Sequence, residues 1–271
     1  LKIIVSTAGG ALKELDILPR DFNLLNTMRR YSEAYHSKVL NVQAEETASG
    51  SIHGLVQAKE EGLEKYLQID HWPRRMLQDH FFERGKTAAE LHRELPEQGN
   101  LLGQNYQIRQ KEGLTITGQG QAFGIPVAIS KNLVLQGNQL SVGLTITNQG
   151  KSRLIGTYAN ELNFALLGGH TPDRYYLFND VRPADAYLDG IHDRNGMTVL
   201  AIVNEWDRFK VNLSFDKAAD LWCFPVETVS MSEAGFERIY QSSAVLPHWN
   251  LDLVPGASMK INFSLTIELT D

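Results

Sequence analysis

Cysteine is almost missing: Cys223 is the single one in 271 residues, so no internal disulfide can form and a disulfide-held scaffold is excluded. No apolar run approaches the roughly 20 residues that a membrane-spanning helix needs, so no membrane partner is expected. An excess of basic residues is also lacking. Lys and Arg number 26 against 32 Asp and Glu, a formal net charge of −6, which argues against a nucleic-acid partner because such surfaces carry a basic stripe. Neither G-x-S-x-G nor a phosphate-cradling glycine loop occurs, and this disfavours a hydrolase triad or a bound nucleotide. An initiating Met and a charged leader with a cleavage site are missing as well. The opening LKIIV already reads as strand, and the expectation is a chain cut at its N-terminus, with sequence upstream that could hold an active site.

The residues present describe an ordinary globular chain, 42% hydrophobic and 21% charged with 22 Gly and 9 Pro. This length permits one large all-β domain or two ordinary ones. Residues 1–5 and 10–18 alternate like strands, and Pro19 ends the second run. The segment SEAYHSKVLNVQAEE predicts a helix with Ser32 as its N-cap. Met76, Leu77, His80 and Phe81, following Pro73, predict a short amphipathic helix. Thr87 and Glu90 form a capping box ahead of Leu91 and Leu95, and Pro96 ends that helix.

Beyond Leu101 the period changes to two. Leu140, Val142, Leu144 and Ile146 alternate with small or polar partners, as do Phe209, Val211, Leu213 and Phe215, and then Met259 through Leu269. About ten strands after two helices predict packed antiparallel sheets. Between Gly168 and Gly196 runs a polar, aromatic loop with Asp173, Asp180, Asp185, Asp189 and Asp193, and such long marked loops often carry function.

Several clusters could carry chemistry. Glu14 and Asp16 are two residues apart on one strand face, a possible carboxylate pair for sugar chemistry set against a plain solvated face. Trp222, Glu227, Glu233, Glu237, His248 and Trp249 gather rings and carboxylates in a short span. A pyranose suits such a set, because its C–H face lies on an aromatic ring while its hydroxyls need acceptors and donors; the competing reading makes both indoles core anchors. His80 and Glu83, with His71 and His92 nearby, have a spacing that occurs in zinc sites and often by chance. The aspartate loop lacks the ordered calcium-hand pattern, so no cofactor is expected, with a structural calcium as the minor alternative. Cys223 in WCFP reads as a buried, inert thiol.

Three long stretches, GGALKELDILPRDFNLLNTMRRYSEAYH, LEKYLQIDHWPRRMLQDHFF and LWCFPVETVSMSEAGFERIYQSSAVLPHWNLDL, resemble in order the C-terminal part of glycoside hydrolase family 57 enzymes, notably α-amylases and 4-α-glucanotransferases. The resemblance implies a catalytic (β/α)₇ barrel upstream that holds the nucleophile and the acid/base, so no catalytic residue is assigned here. It further implies a mainly β fold: a large antiparallel β-sandwich of the galactose-mutarotase supersandwich kind, preceded by a strand pair and a few helices. Residues 1–100 would be the hairpin and helical linker and 101–271 the sandwich, together one compact unit. The expected role is a non-catalytic region supporting the barrel and holding α-glucan or maltooligosaccharide. Trp222, Trp249 and Tyr176 are then the candidate stacking platforms, with Glu227 and Asp180 as hydroxyl acceptors. The alternatives are a mutarotase-like enzyme using Glu227 and His248 on free sugars, and a purely structural interdomain module with a coherent apolar patch. A lone thiol is compatible with the cytoplasm, the expected compartment.

Overall fold

β1 (Lys2–Val5) and β2 (Leu12–Ile17) pair antiparallel, and β3 (Phe22–Asn23) joins β2, giving a three-stranded sheet. Gly10 sits at φ 56° in the connecting turn, and a Cβ there would lie 2.4 Å from the Tyr106 ring, so the turn needs glycine twice over. The computed structural model describes residues 1–40, 62–232 and 235–270. The helix expected from Ser32 is helical from His36 to Leu40, four residues later than its expected cap; residues 41–46 of the expected segment lie outside the described residues.

The helix expected at Met76–Phe81 is instead a strand, β4 (Gln78–Phe82), hydrogen-bonded to β9 (Leu154–Phe164). Two features defeat the helical reading. Met76 exchanges backbone hydrogen bonds with Leu12, and Leu77 adopts φ 65°, which no helix interior tolerates. All five β4 residues are buried, so the two-residue alternation that announces a half-buried strand is erased. The second expected helix is present as α1 (Ala88–Arg93), and both hydrogen bonds of its Thr87/Glu90 capping box form.

Among the described residues ten strands follow residue 101, as expected: β5 (Gln107–Gln110), β6 (Leu114–Ala122), β7 (Ile125–Gln136), β8 (Gln139–Asn148), β9, β10 (Arg174–Phe178), β11 (His192–Asn204), β12 (Phe209–Ser232), β13 (Gly235–Leu253) and β14 (Ser258–Leu269). All pairings are antiparallel, in the order β4-β9-β13-β12-β14-β8-β7-β6-β5, with β11 on β12 and β10 on β11. The 24-residue β12 changes neighbours along its length. Phe209–Phe215 pairs with β14, and from Asp220 onward the partner is β13. One continuous strand thus carries the chain from one half of the sandwich to the other.

The main core joins the halves. It contains Leu144, Leu213 and Leu265 from one side, Tyr158 and Leu162 from the other, and Leu12, Leu15 and Phe81 from the N-terminal hundred residues. Alternation then sets the opposite face of the β4-β9-β13-β12 half. There Phe82, Ala159, Trp222, Phe224, Val226, Ala244 and Leu246 form a second apolar cluster with Ala88 and Leu91 of α1. The helix is therefore a lid on that face, and beside it lies the cleft described next.

Candidate functional site

Arg30, Asp70, Arg74, Glu161, His80 and Glu97 come from separate parts of the chain and line one cleft. Cations and anions alternate along it. Arg30 grips Asp70 with both arms, Nη2 to Oδ1 at 2.7 Å and Nε to Oδ2 at 2.9 Å. Arg74 Nε donates to Asp70 Oδ1 at 2.9 Å and its Nη1 to Glu161 Oε1 at 3.0 Å. His80 Nε2 lies 2.8 Å from Glu161 Oε2, off the hydrogen-bonding line, while its Nδ1 meets Glu97 Oε2 at 2.7 Å. Glu97 Oε1 accepts the N–H groups of Phe81 and Gly99. β4 and β9 place His80 and Glu161 side by side, because His80 pairs with Ala159 and Gln78 with Glu161.

Each charge holds its neighbour's. Burial alone would lower the His80 pKa, but Glu161 and Glu97 outweigh it and push the imidazole up to about 9. Burial would raise the Glu161 carboxyl, yet the Arg74 charge and the His80 contact hold it well below the usual range. Asp70 is likewise lowered by Arg30 and Arg74 against its burial. A group that shuttles protons near neutral pH needs a pKa close to that pH. His80, Glu161 and Asp70 are held away from it, which suits the floor poorly to proton exchange near neutral pH.

Above the floor the cavity holds about 360 Å³. Its walls include Leu67, Leu91, Leu95 and Leu102, and its rim carries Ile69, His71, Trp72, Arg93 and Glu94. Trp72 is 45% exposed. At Gly103 a Cβ would stand 2.9 Å from its Cη2, so the glycine admits the indole against the backbone.

The residues singled out from sequence do not converge there. Trp222 is buried beneath α1, stacked on His248 with ring centroids 3.5 Å apart and planes at 12°. Trp249 lies in the main core, edge-on to Phe215, and donates its indole N–H to the Ala218 carbonyl at 3.2 Å. Tyr176 is fully buried in the same core. None of these three rings offers a face to solvent. Glu227 is buried too, 3.3 Å from Arg238 and 3.4 Å from His92. Asp180 is exposed, at φ 62° in the turn that closes on the Phe178–Val181 bridge. Glu227 and His248 are not neighbours: His248 pairs with Asp220, seven residues, or about 23 Å, from Glu227 along β12.

Other expectations resolve differently. Glu14 and Asp16 share Lys2, at 3.4 and 3.0 Å, a surface ion cluster of small energetic weight. His80 lies on β4 and Glu83 just past its end, and His80 is clamped by carboxylates. The loop aspartates disperse: Asp173 meets Arg174, Asp189 meets His170, Asp185 approaches His192 and Arg194, and Asp193 accepts the Ala88 N–H. Among the described residues no group of three His, Cys, Asp or Glu is placed to hold a metal ion. Cys223 is buried, and burial pushes its thiol pKa well up. Sequence alone does not reveal the cleft, because its ladder joins residues as far apart as Arg30 and Glu161; the local hint is the Asp70/Arg74 spacing, four residues apart in IDHWPRR.

Comparison with known proteins bears on the fold and the lineage. Residues 1–263 match the family described as alpha-amylase/4-alpha-glucanotransferase, C-terminal. The chain is 30% identical over 257 residues to alpha-amylase 1 of Dictyoglomus thermophilum, covering 93% of this chain and 36% of that protein. The crystal structure of a 4-alpha-glucanotransferase from Thermococcus litoralis superposes with TM-score 0.70 at 20% identity, covering 98% of this chain and 36% of that one. A putative aldose 1-epimerase from Escherichia coli K12 superposes with TM-score 0.60 at 14% identity, covering 99% and 96%. The chain therefore spans about a third of the length of the curated relatives it matches.

Proposed function

Because this chain belongs to the alpha-amylase/4-alpha-glucanotransferase C-terminal family, we propose that it is the non-catalytic β-sandwich region of an α-glucan-processing hydrolase or transferase. The observation that carries the reading is the match over residues 1–263, almost the whole chain, to the C-terminal region of such proteins. In the parent enzyme the chain supports an upstream catalytic barrel and contacts α-1,4-glucan. Retaining cleavage or transfer needs one carboxyl group as acid/base and a second as nucleophile. The ion-paired carboxylates of the cleft fit neither part, and this supports placing both groups upstream.

Among the five residues first considered for sugar contact, Asp180 is exposed and remains a candidate acceptor, while Trp222, Trp249, Tyr176 and Glu227 act from within the protein as scaffold. The described helices include none long and apolar enough to cross a membrane. A cytoplasmic parent is the reading that the unpaired Cys223 supports. Incubation of the chain with maltoheptaose, followed by reducing-end assay and chain-length analysis, tests the proposal. Neither new ends nor redistributed lengths should exceed the buffer control; turnover by this chain would overturn the non-catalytic assignment.

A second reading, epimerisation of free sugars, is favoured by one observation: the likeness to the Escherichia coli putative aldose 1-epimerase covers nearly all of both chains. The separation of Glu227 from His248 removes the acid/base pair first considered for it. Polarimetry of freshly dissolved α-D-glucose decides, since an epimerase must speed the approach to anomeric equilibrium.

A further inference from the structure

The cleft between residues 67–73 and α1 is built more elaborately than a support domain requires. We propose that it is a saccharide-binding site in which one neutral sugar ring stacks on Trp72, and, resting on the reading above, that the sugar is a glucosyl unit of the α-glucan.

Charge arithmetic selects the ligand class. The floor carries Arg30, Arg74 and protonated His80 against Asp70, Glu161 and Glu97, three charges of each sign, and the rim pair Arg93 and Glu94 also cancels. A site for a phosphate, a carboxylate or an ammonium group would leave one sign in excess. Here every floor charge is already paired, so a charged ligand finds no partner for its own charge. What remains is a dense row of polar atoms under an apolar wall, which suits a molecule with many hydroxyls and no net charge.

Trp72 supplies the other half of sugar recognition. Of the four tryptophans, Trp222 and Trp249 are buried, and Trp206, though 75% exposed, does not line the cavity. Trp72 alone joins cavity and solvent. The ring lies so close to Gly103 that a Cβ there would stand 2.9 Å from its Cη2, so the glycine leaves the indole room at the cleft mouth. A pyranose needs such an apolar face for its C–H groups, with donors and acceptors around the edge. At about 360 Å³ the cavity lies near the small end of ligand sites and suits one or two rings, with the rest of a longer chain outside.

Tryptophan fluorescence and calorimetry of the whole chain with maltotriose test this. Saturable quenching with a Kd of about 1 mM, the strength of a single shallow sugar site, is expected. Trp72→Ala should abolish the quenching and weaken binding at least about tenfold. Trp72→Phe should restore part of it, and Trp206→Ala should behave as the parent. Unchanged thermal melting of Trp72→Ala, expected for a rim residue, excludes misfolding as the cause. Maltotriose binding that survives Trp72→Ala would overturn the cleft assignment and leave the glucan reading standing. Trp72-dependent binding of galactose or cellobiose without maltotriose would support the cleft and overturn the glucan reading. Glucose 6-phosphate binding tighter than maltotriose, or no sugar binding at several tens of millimolar, would overturn the proposal.

Discussion

Lys131 Nζ lies 2.6 Å from Asp79 Oδ2, and both side chains are wholly shut off from solvent. The ammonium also donates to the carbonyls of Gly10, at 2.9 Å, and Leu77, so one lysine on β7 ties the N-terminal turn and the start of β4 into the main core. Asp79 accepts hydroxyls from Tyr106 and Tyr158 at 2.9 and 2.6 Å. Removing one partner of a buried pair strands the other charge, which typically costs about 3–5 kcal/mol. Lys131→Met should lose stability of that order in urea denaturation. The double variant Asp79→Asn/Lys131→Met should recover part of the loss; a double variant no better than the single would show that the tether to Gly10 and Leu77 outweighs the stranded charge.

His80 makes the protein less stable as solutions turn alkaline. Its folded pKa of about 9 stands above the ordinary 6.5, so the native state binds the extra proton between those values. The contribution is complete below pH 6.5 and is lost as pH rises through 9, with a slope of at most about 1.4 kcal/mol per pH unit. Urea midpoints measured from pH 6.5 to 8.5 should fall for the parent protein. In His80→Gln that fall should flatten; an unchanged slope would mean that the imidazole is not held protonated between Glu161 and Glu97.

The strands that sequence reading finds most readily are those with one face in the core and one in water. Leu140 to Ile146, Phe209 to Phe215 and Ile261 to Ile267 alternate because their odd or even partners stay wet or lie against small neighbours. β4 defeats the same logic, since His80 and Phe82 are covered from one side and Asp79 and Phe81 from the other. Trp222 and Trp249 draw attention as neighbours of carboxylates, but a strand buried on both faces needs large rings as filling, and composition does not distinguish filling from platform. The cleft was illegible for a different reason. Its ion ladder depends on β4 lying beside β9 and on residues 67–73 folding over them, pairings between distant segments that leave no periodic trace. Trp72 carried no local signal beyond the adjoining Pro73; its role depends on Gly103, some thirty residues away.

Acid acts through a different histidine. His248 is stacked on Trp222, and burial pushes its pKa down to about 4. The native imidazole stays neutral while the unfolded one takes a proton below about 6.5. Stability from this group is therefore complete above pH 6.5 and is lost as pH falls towards 4, by about 2–3 kcal/mol. His248→Phe, which keeps a flat ring against the indole, should reduce the acid sensitivity between pH 6.5 and 4 while leaving the alkaline limb set by His80 in place. Thermal midpoints across both windows separate the two residues.

α1 is six residues long, far too short to persist as a helix unaided, so its position over Trp222 depends on its ends and its buried face. Thr87 Oγ1 accepts the Glu90 N–H at 3.3 Å and Glu90 Oε2 accepts the Thr87 N–H at 2.9 Å, while Asp193 Oδ1 on β11 accepts the Ala88 N–H at 3.0 Å. Leu91 then fills the space above Phe224 and Val226. Thr87→Ala should cost about 1 kcal/mol, the usual value of an N-cap, whereas Leu91→Ala should cost about 2–5 kcal/mol by leaving a cavity. Because Leu91 and Leu95 also line the cleft, loosening the helix should disturb both places at once. Hydrogen exchange of residues 88–95 should quicken in Thr87→Ala, and any saccharide that protects them in the parent should protect them less in the variant. Exchange confined to the first turn, with the cleft wall unaffected, would show that Leu91 and Leu95 hold that wall without the cap.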